Sequence, residues 1–281
     1  MSLKNQITIC VLAVALCRCA SPLHVADANG DPTTQLNHLY LDLNAAREAQ
    51  FDLLDADDFN LALSLAQTAK AQIAEDRPAA VVTTTLDKAR AAVARARQQA
   101  QTLQDAAQPV LNARSAALRA GIKDLPGGAA GLQRQDSAFR SLLPEVSSGK
   151  RGGPVRLMLV RGYWDLELRG LRGHKLAVVD LMIDEARKDG AEDRTPETLA
   201  QAESEQADAD YIIANDPHNE TVMNHVVADA RESAQFLRQV LAASNSSSGR
   251  LSEPAAIAQV RGGEHTQQAV LKSKGPVIRE Q

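Results

Sequence analysis

Apolar residues recur along this chain at alternating steps of three and four, and alanine fills most of those positions. Phe59, Ala62, Ala66, Ala69 and Ile73 form one such series, and Leu199, Ala202, Gln206, Ala209 and Ile213 form another. A longer one runs Leu86, Ala89, Val93, Ala96, Ala100, Leu103, Ala107 and Val110, and a fourth runs Val227, Ala230, Ala234, Leu237 and Leu241. Such steps return every side chain to one face of an α-helix, the seam of a coiled coil. Aromatic residues are only 3% of the chain. A buried alanine removes far less apolar area from water than a leucine, so the helices must approach closely. The pattern predicts an all-α fold: an elongated, alanine-rich, coiled-coil-like bundle.

The series also match one another. An offset of 140 positions pairs Leu41 with Leu181, Ala46 with Ala186, Arg47 with Arg187, Ala62 with Ala202 and Ile73 with Ile213. After a one-residue insertion, Ala89-Arg90 pairs with Ala230-Arg231. This self-similarity predicts two related three-helix units, at 33–121 and 155–243. A connecting segment, 122–154, lies between them and contains the glycine-rich stretch 126–131, which reads as a loop. From Asn245 onward Ser, Gly and isolated charges replace the stripe, so 244–281 is expected to be a disordered tail. At the helix starts, Thr195-Pro196 reads as an N-cap with proline at the first helical position. Asp57 or Asp58 is expected to cap the matching helix of the first unit. Gly170 and Gly173 cost helix stability and predict close helix contact or a bend.

The first residues carry a different signal. Lys4 precedes an apolar run from Ile7 to Cys17, too short to span a bilayer, and this predicts a signal peptide at 1–19 followed by a linker at 20–32. All three cysteines, Cys10, Cys17 and Cys19, lie in that segment, so the body has no thiol chemistry. Leu16-Cys17-Arg18-Cys19 resembles a lipobox with Cys19 as the lipid acceptor, although Arg18 stands where a small residue is usual. Ala26-Asp27-Ala28 offers an ordinary signal-peptidase site instead, which would leave a soluble periplasmic or secreted protein.

The second unit extends the pattern. Tyr163-Trp-Asp-Leu-Glu167 precedes Glu185-Ala-Arg-Lys-Asp-Gly-Ala191, then Thr195-Pro-Glu-Thr-Leu-Ala-Gln-Ala-Glu203, then Ile213-Ala-Asn-Asp-Pro-His218. Together these resemble the alanine-rich helical domain, of unassigned function, in bacterial outer-membrane lipoproteins of the OmpA-like family. The resemblance covers roughly residues 36–243. It implies a lipid anchor at Cys19, a location on the periplasmic side of the outer membrane, and a structural or adaptor role in the cell envelope. An envelope protein or a second copy of the chain would be the partner. The family's peptidoglycan-binding domain has no counterpart in 244–281, so direct peptidoglycan binding is not implied.

Other constellations point to no chemistry. Residues 27–87 carry 3 basic and 11 acidic groups, 88–175 carry 16 and 6, and 176–235 carry 4 and 15. The expected outcome is internal pairing of the basic block with its acidic neighbours. In the alternative, a soluble module holds an anionic polymer through Arg95, Arg97, Arg114 and Arg119. Arg114 stands on the seam after Val110, so if buried it needs an acidic partner. Arg-Gly pairs around Tyr163 suggest nucleic acid, but Trp164, Leu168, Leu171, Val178 and Met182 share one helical face and read as core. His174, His218 and His225 have no metal-ligand spacing, and no nucleophile or phosphate-loop motif occurs. No catalytic, cofactor-binding or metal-ligating residue is assigned, and no enzyme is expected.

Overall fold

In the computed structural model, which describes residues 30–246 and 251–273, three residues with left-handed backbone punctuate the chain about 70 positions apart. They are Gln50 (φ 62°), Gly121 (φ 74°) and Gly190 (φ 88°). Each ends one helix and opens a very short one. The first copy comprises α1 (Pro32–Glu48), α2 (Phe51–Leu54) and α3 (Ala56–Ala74). The last comprises α7 (Ala177–Lys188), α8 (Ala191–Arg194) and α9 (Pro196–Asn215). Between them the end of α4 (Ala79–Arg119), a 3-10 turn (Ile122–Asp124) and α5 (Gly128–Val146) follow in the same order. Next come α6 (Gly149–Lys175), α10 (Glu220–Ser246) and α11 (Glu253–Ser273). The fold is all-α, with no strand among the described residues.

Burial follows the repeat position by position. Leu36, Leu39, Leu43, Ala46 and Phe51 are buried in the first copy, and Leu176, Val179, Ile183, Ala186 and Ala191 are buried at the same spacing in the last. The middle copy places Ala107, Val110, Arg114, Ala117 and Ile122 there, all buried. The 140-residue offset is therefore two periods of a shorter repeat. Long helices repeat as well: Val82, Leu86, Ala89, Val93, Ala96 and Ala100 of α4 match Met223, Val227, Ala230, Ala234, Leu237 and Leu241 of α10, and every one is buried.

The chain divides into two compact units between Asp105 and Ala106. In the first, α1 begins at Pro32 with Asp31 as its N-cap, the carboxylate accepting from the Thr34 amide at 3.1 Å. Arg90 of α4 donates to Gln35 of α1, and Arg95 forks onto Asp58 of α3 at 2.6 and 3.0 Å. These contacts fix α4 against both helices, while Phe59, Ala62, Ala66 and Ala69 fill the seam of α3.

The second unit holds two cores that share α6. Ile122, Leu132, Phe139, Val146, Leu159 and Tyr163 are buried where α5 lies antiparallel to α6. Further along α6, Leu168 joins Val179, Ile183, Leu199, Ile213 and Leu237 in the core built with α7, α9 and α10. Each buried leucine or isoleucine contributes about 1.5–3 kcal/mol.

Several expectations are corrected. The glycine-rich stretch 126–131, expected as a loop, runs into α5 instead, and Gly128 and Gly131 serve close packing there. A Cβ on Gly128 would stand 1.8 Å from the Ile122 carbonyl oxygen, so only glycine lets α5 start there. As expected for close contact, a Cβ on Gly170 would meet the Ala120 carbonyl oxygen at 2.5 Å. The stretch 244–281 is not wholly a tail. Within it α11 docks by burying Ala256 and by stacking Arg261 over the Phe236 ring, 5.6 Å from its centroid. The N-cap of α3 is Asp55, not Asp57 or Asp58. The segment expected to be a signal peptide, with Cys10, Cys17 and Cys19, lies outside the described residues.

Candidate functional site

Arg114 is an arginine at a position filled by Leu43 and Ile183 in the other two copies. Its carboxylate partner comes from the second helix of the same repeat. Arg114 Nε donates to Asp136 Oδ1 at 2.9 Å and Nη2 to Oδ2 at 3.0 Å, and Tyr163 of α6 donates its hydroxyl to Oδ1 at 2.7 Å. All three side chains are buried. Removal from water, and secondarily the negative charge of Asp136, raise the Tyr163 pKa well above the usual phenol value, so the hydroxyl stays a donor. The network ties the end of α4, α5 and α6 together. Buried among these three helices, it fixes their relative orientation.

A second polar contact sits lower on α6. Glu167 is buried, and burial pushes its pKa up; His218, in the turn between α9 and α10, and then Arg119 oppose that shift. His218 Nδ1 lies 3.5 Å from Glu167 Oε1. The α9–α10 turn therefore meets α6 at the level of Glu167. The apolar stripe of α6 continues beyond that level, which is why Trp164 is not core but 37% exposed. Leu168 is buried and Leu171 and Met182 pack on the same core, whereas Val178 is exposed.

The outer faces carry the feature most relevant to partners. Leu41 of α1 is 54% exposed, and Leu181, its counterpart in α7, is 56% exposed. Val81 of α4 and Val222 of α10, one position beyond the 140-residue offset, are 40% and 38% exposed. Single exposed apolar residues are ordinary on a protein surface. Recurrence at equivalent positions is not ordinary, because solvent-facing sites diverge freely unless something covers them.

The remaining residues singled out in the sequence are dispersed. His174 contacts the Gly121 carbonyl oxygen at 3.0 Å, His218 faces Glu167, and His225 lies 3.5 Å from Asp229. The three histidines are not brought together, and among the described residues no group of three metal-ligating side chains is clustered. Of the four arginines considered for a polymer, Arg95 is engaged by Asp58 and Arg114 by Asp136. The basic block pairs elsewhere as well, Arg172 with Asp210. An open cleft of about 490 Å³ between α7 and α10 is lined by Glu185, Lys188, Asp189, Arg238 and Asn245, charges of both signs.

No family model matches this chain, and neither the curated proteins nor the solved structures contain a match.

Proposed function

We propose that this chain is a non-enzymatic bacterial cell-envelope lipoprotein, anchored through Cys19 on the periplasmic side of the outer membrane, that works as a structural or adaptor protein through its helix faces. The observation that carries the adaptor reading is the paired exposure of Leu41 with Leu181 and of Val81 with Val222. A surface presented twice, in the same place on two copies of one repeat, suits a partner with repeated features or a second copy of the chain. The polar groups support the same reading. Arg114, Asp136 and Tyr163 satisfy one another in the core, and the buried carboxylate of Glu253 is spent on backbone amides.

The anchor rests on the lipobox-like Leu16-Cys17-Arg18-Cys19 and on the resemblance of residues 36–243 to the helical domain of OmpA-like-family lipoproteins. Cells fed labelled palmitate should yield labelled protein, and Cys19→Ala should abolish the label. A mature protein starting at Asn29 would establish ordinary secretion. The adaptor role has its own test. Leu41→Ser together with Leu181→Ser should remove crosslinked products from envelope fractions while the circular dichroism of the protein stays unchanged.

An anionic-polymer role for residues 88–175 has less support, since Arg95 and Arg114 hold carboxylates of the same molecule. Salt-sensitive binding of heparin or lipopolysaccharide, lost when Arg97 and Arg119 become glutamine, would favour it.

A further inference from the structure

The first half of α6 leaves one face uncovered. Tyr163 and Leu159 point into the core with α5, and Gln135 of α5 donates to the Leu159 carbonyl oxygen at 3.0 Å. On the opposite side Pro154, Leu157, Met158, Arg161 and Trp164 are all exposed, Leu157 at 71% and Met158 at 55%. Their spacing of three and four makes them one stripe on the helix. This is the longest run of exposed large apolar side chains on any one described helix.

The charge along this part of α6 is mainly positive. Residues 149–165 contain Lys150, Arg151, Arg156 and Arg161 against one carboxylate, Asp165, which is exposed at the Trp164 end of the stripe. Arg156 donates back to the Val146 carbonyl oxygen at 2.7 Å, which leaves Arg161 as the exposed cation within the stripe. An amphipathic helix with exposed Leu and Met, a tryptophan at the margin and a net positive charge matches the interfacial zone of an anionic bilayer. There tryptophan partitions to the headgroup level, and each arginine or lysine gains from the negative surface potential. No described helix is long and apolar enough to cross a membrane, so the contact would be with the surface.

We propose that the Leu157–Met158–Trp164 face of α6 docks onto an anionic lipid surface. This contact is separate from the Leu41 and Leu181 positions and does not depend on lipidation of Cys19. Docking places α6 parallel to the membrane, with the α5–α6 core and its buried triad held above it.

Trp164 is the only tryptophan in the chain, so its fluorescence reports this face alone. The full chain carrying Cys17→Ser and Cys19→Ser is mixed with phosphatidylglycerol vesicles, phosphatidylcholine vesicles, or buffer. The proposal predicts a blue shift of Trp164 emission and its quenching by brominated acyl chains with phosphatidylglycerol, and partition at least about tenfold weaker with phosphatidylcholine. Leu157→Asn with Met158→Asn should abolish the shift without changing helical content, because both side chains are exposed. Arg161→Glu, a milder change, should weaken vesicle binding severalfold. An unshifted Trp164 emission with phosphatidylglycerol would overturn the proposal, as would a shift that survives Leu157→Asn with Met158→Asn. A blue shift that grows with protein concentration in buffer alone would assign the face to self-association and also overturn it.

Discussion

Glu253 accepts both the backbone amide and the hydroxyl of Thr198, each at 2.6 Å, and so seals the first turn of α9 from a helix 55 residues further along the chain. The same amide in the first copy belongs to Asp58 and is capped locally by Asp55 at 3.3 Å. Thr195 occupies the N-cap place of α9 but makes no cap bond; its hydroxyl turns back to the Ala191 carbonyl oxygen at 3.4 Å. The cap has thus passed from a neighbouring residue to α11. A carboxylate at a helix N-terminus gains from the free amides and from the helix dipole.

Glu253→Ala should therefore cost about 0.5–2 kcal/mol, and it should do so by loosening α11 together with the start of α9. Hydrogen exchange would show faster exchange of the Glu197 and Thr198 amides, while the amides of α3 keep their protection. Equal loss in both copies would contradict this assignment.

Removing Arg114 alone should be costly. Arg114→Leu leaves Asp136 buried with only the Tyr163 hydroxyl as its partner, and a broken buried pair costs about 3–5 kcal/mol. Arg114→Leu with Asp136→Leu and Tyr163→Phe removes these three polar groups together and puts apolar side chains in their place. Chemical denaturation should find that triple variant close to the parent in stability. A triple variant as unstable as the single one would show that the network contributes more than its own satisfaction.

Glu167 gives the fold a pH dependence of definite sign. Burial raises its pKa in the folded state, so folding favours the protonated form and the charge costs stability at neutral pH. That cost is absent below the ordinary carboxylate value of about 4.3 and is complete above the raised value. Glu167→Gln should melt higher than the parent at pH 8, because the amide carries no charge to bury. The difference should close as the pH falls to about 4. Parallel melting curves across that range would contradict the assignment.

What the sequence showed and what it hid have physical causes. The outer copies were legible because Ala62, Ala66 and Ala69, like Ala202 and Ala209, keep the seam's spacing even across Gln206. The middle copy was not, because Arg114 stands where the other copies have Leu43 and Ile183, Asp136 adds a second charge, and the glycines of 127–131 imitate a loop. Their role is visible only once Ile122 packs against Gly128. The need for an acidic partner at Arg114 could be read from its seam position; Asp136 and Tyr163 could not be named without the turn that returns α5 and α6 to α4. Trp164 fits the stripe of Leu168 and Leu171, and nothing local tells that α9 and α10 stop short of it. In α11 the docking groups are Glu253, one small apolar residue, Ala256, and Arg261, so no long hydrophobic stripe announced the helix.

The most direct measurement of the adaptor account is site-specific photocrosslinking in intact cells, with a photoreactive amino acid placed singly at Leu41, at Leu181, and at polar control sites away from them such as Lys70 and Glu205. The account predicts that Leu41 and Leu181 give the same crosslinked partner, or the same dimer of this chain, and that the control sites give none. Leu41 and Leu181 crosslinking no more than Lys70 and Glu205, or each to an unrelated set of proteins, would contradict it.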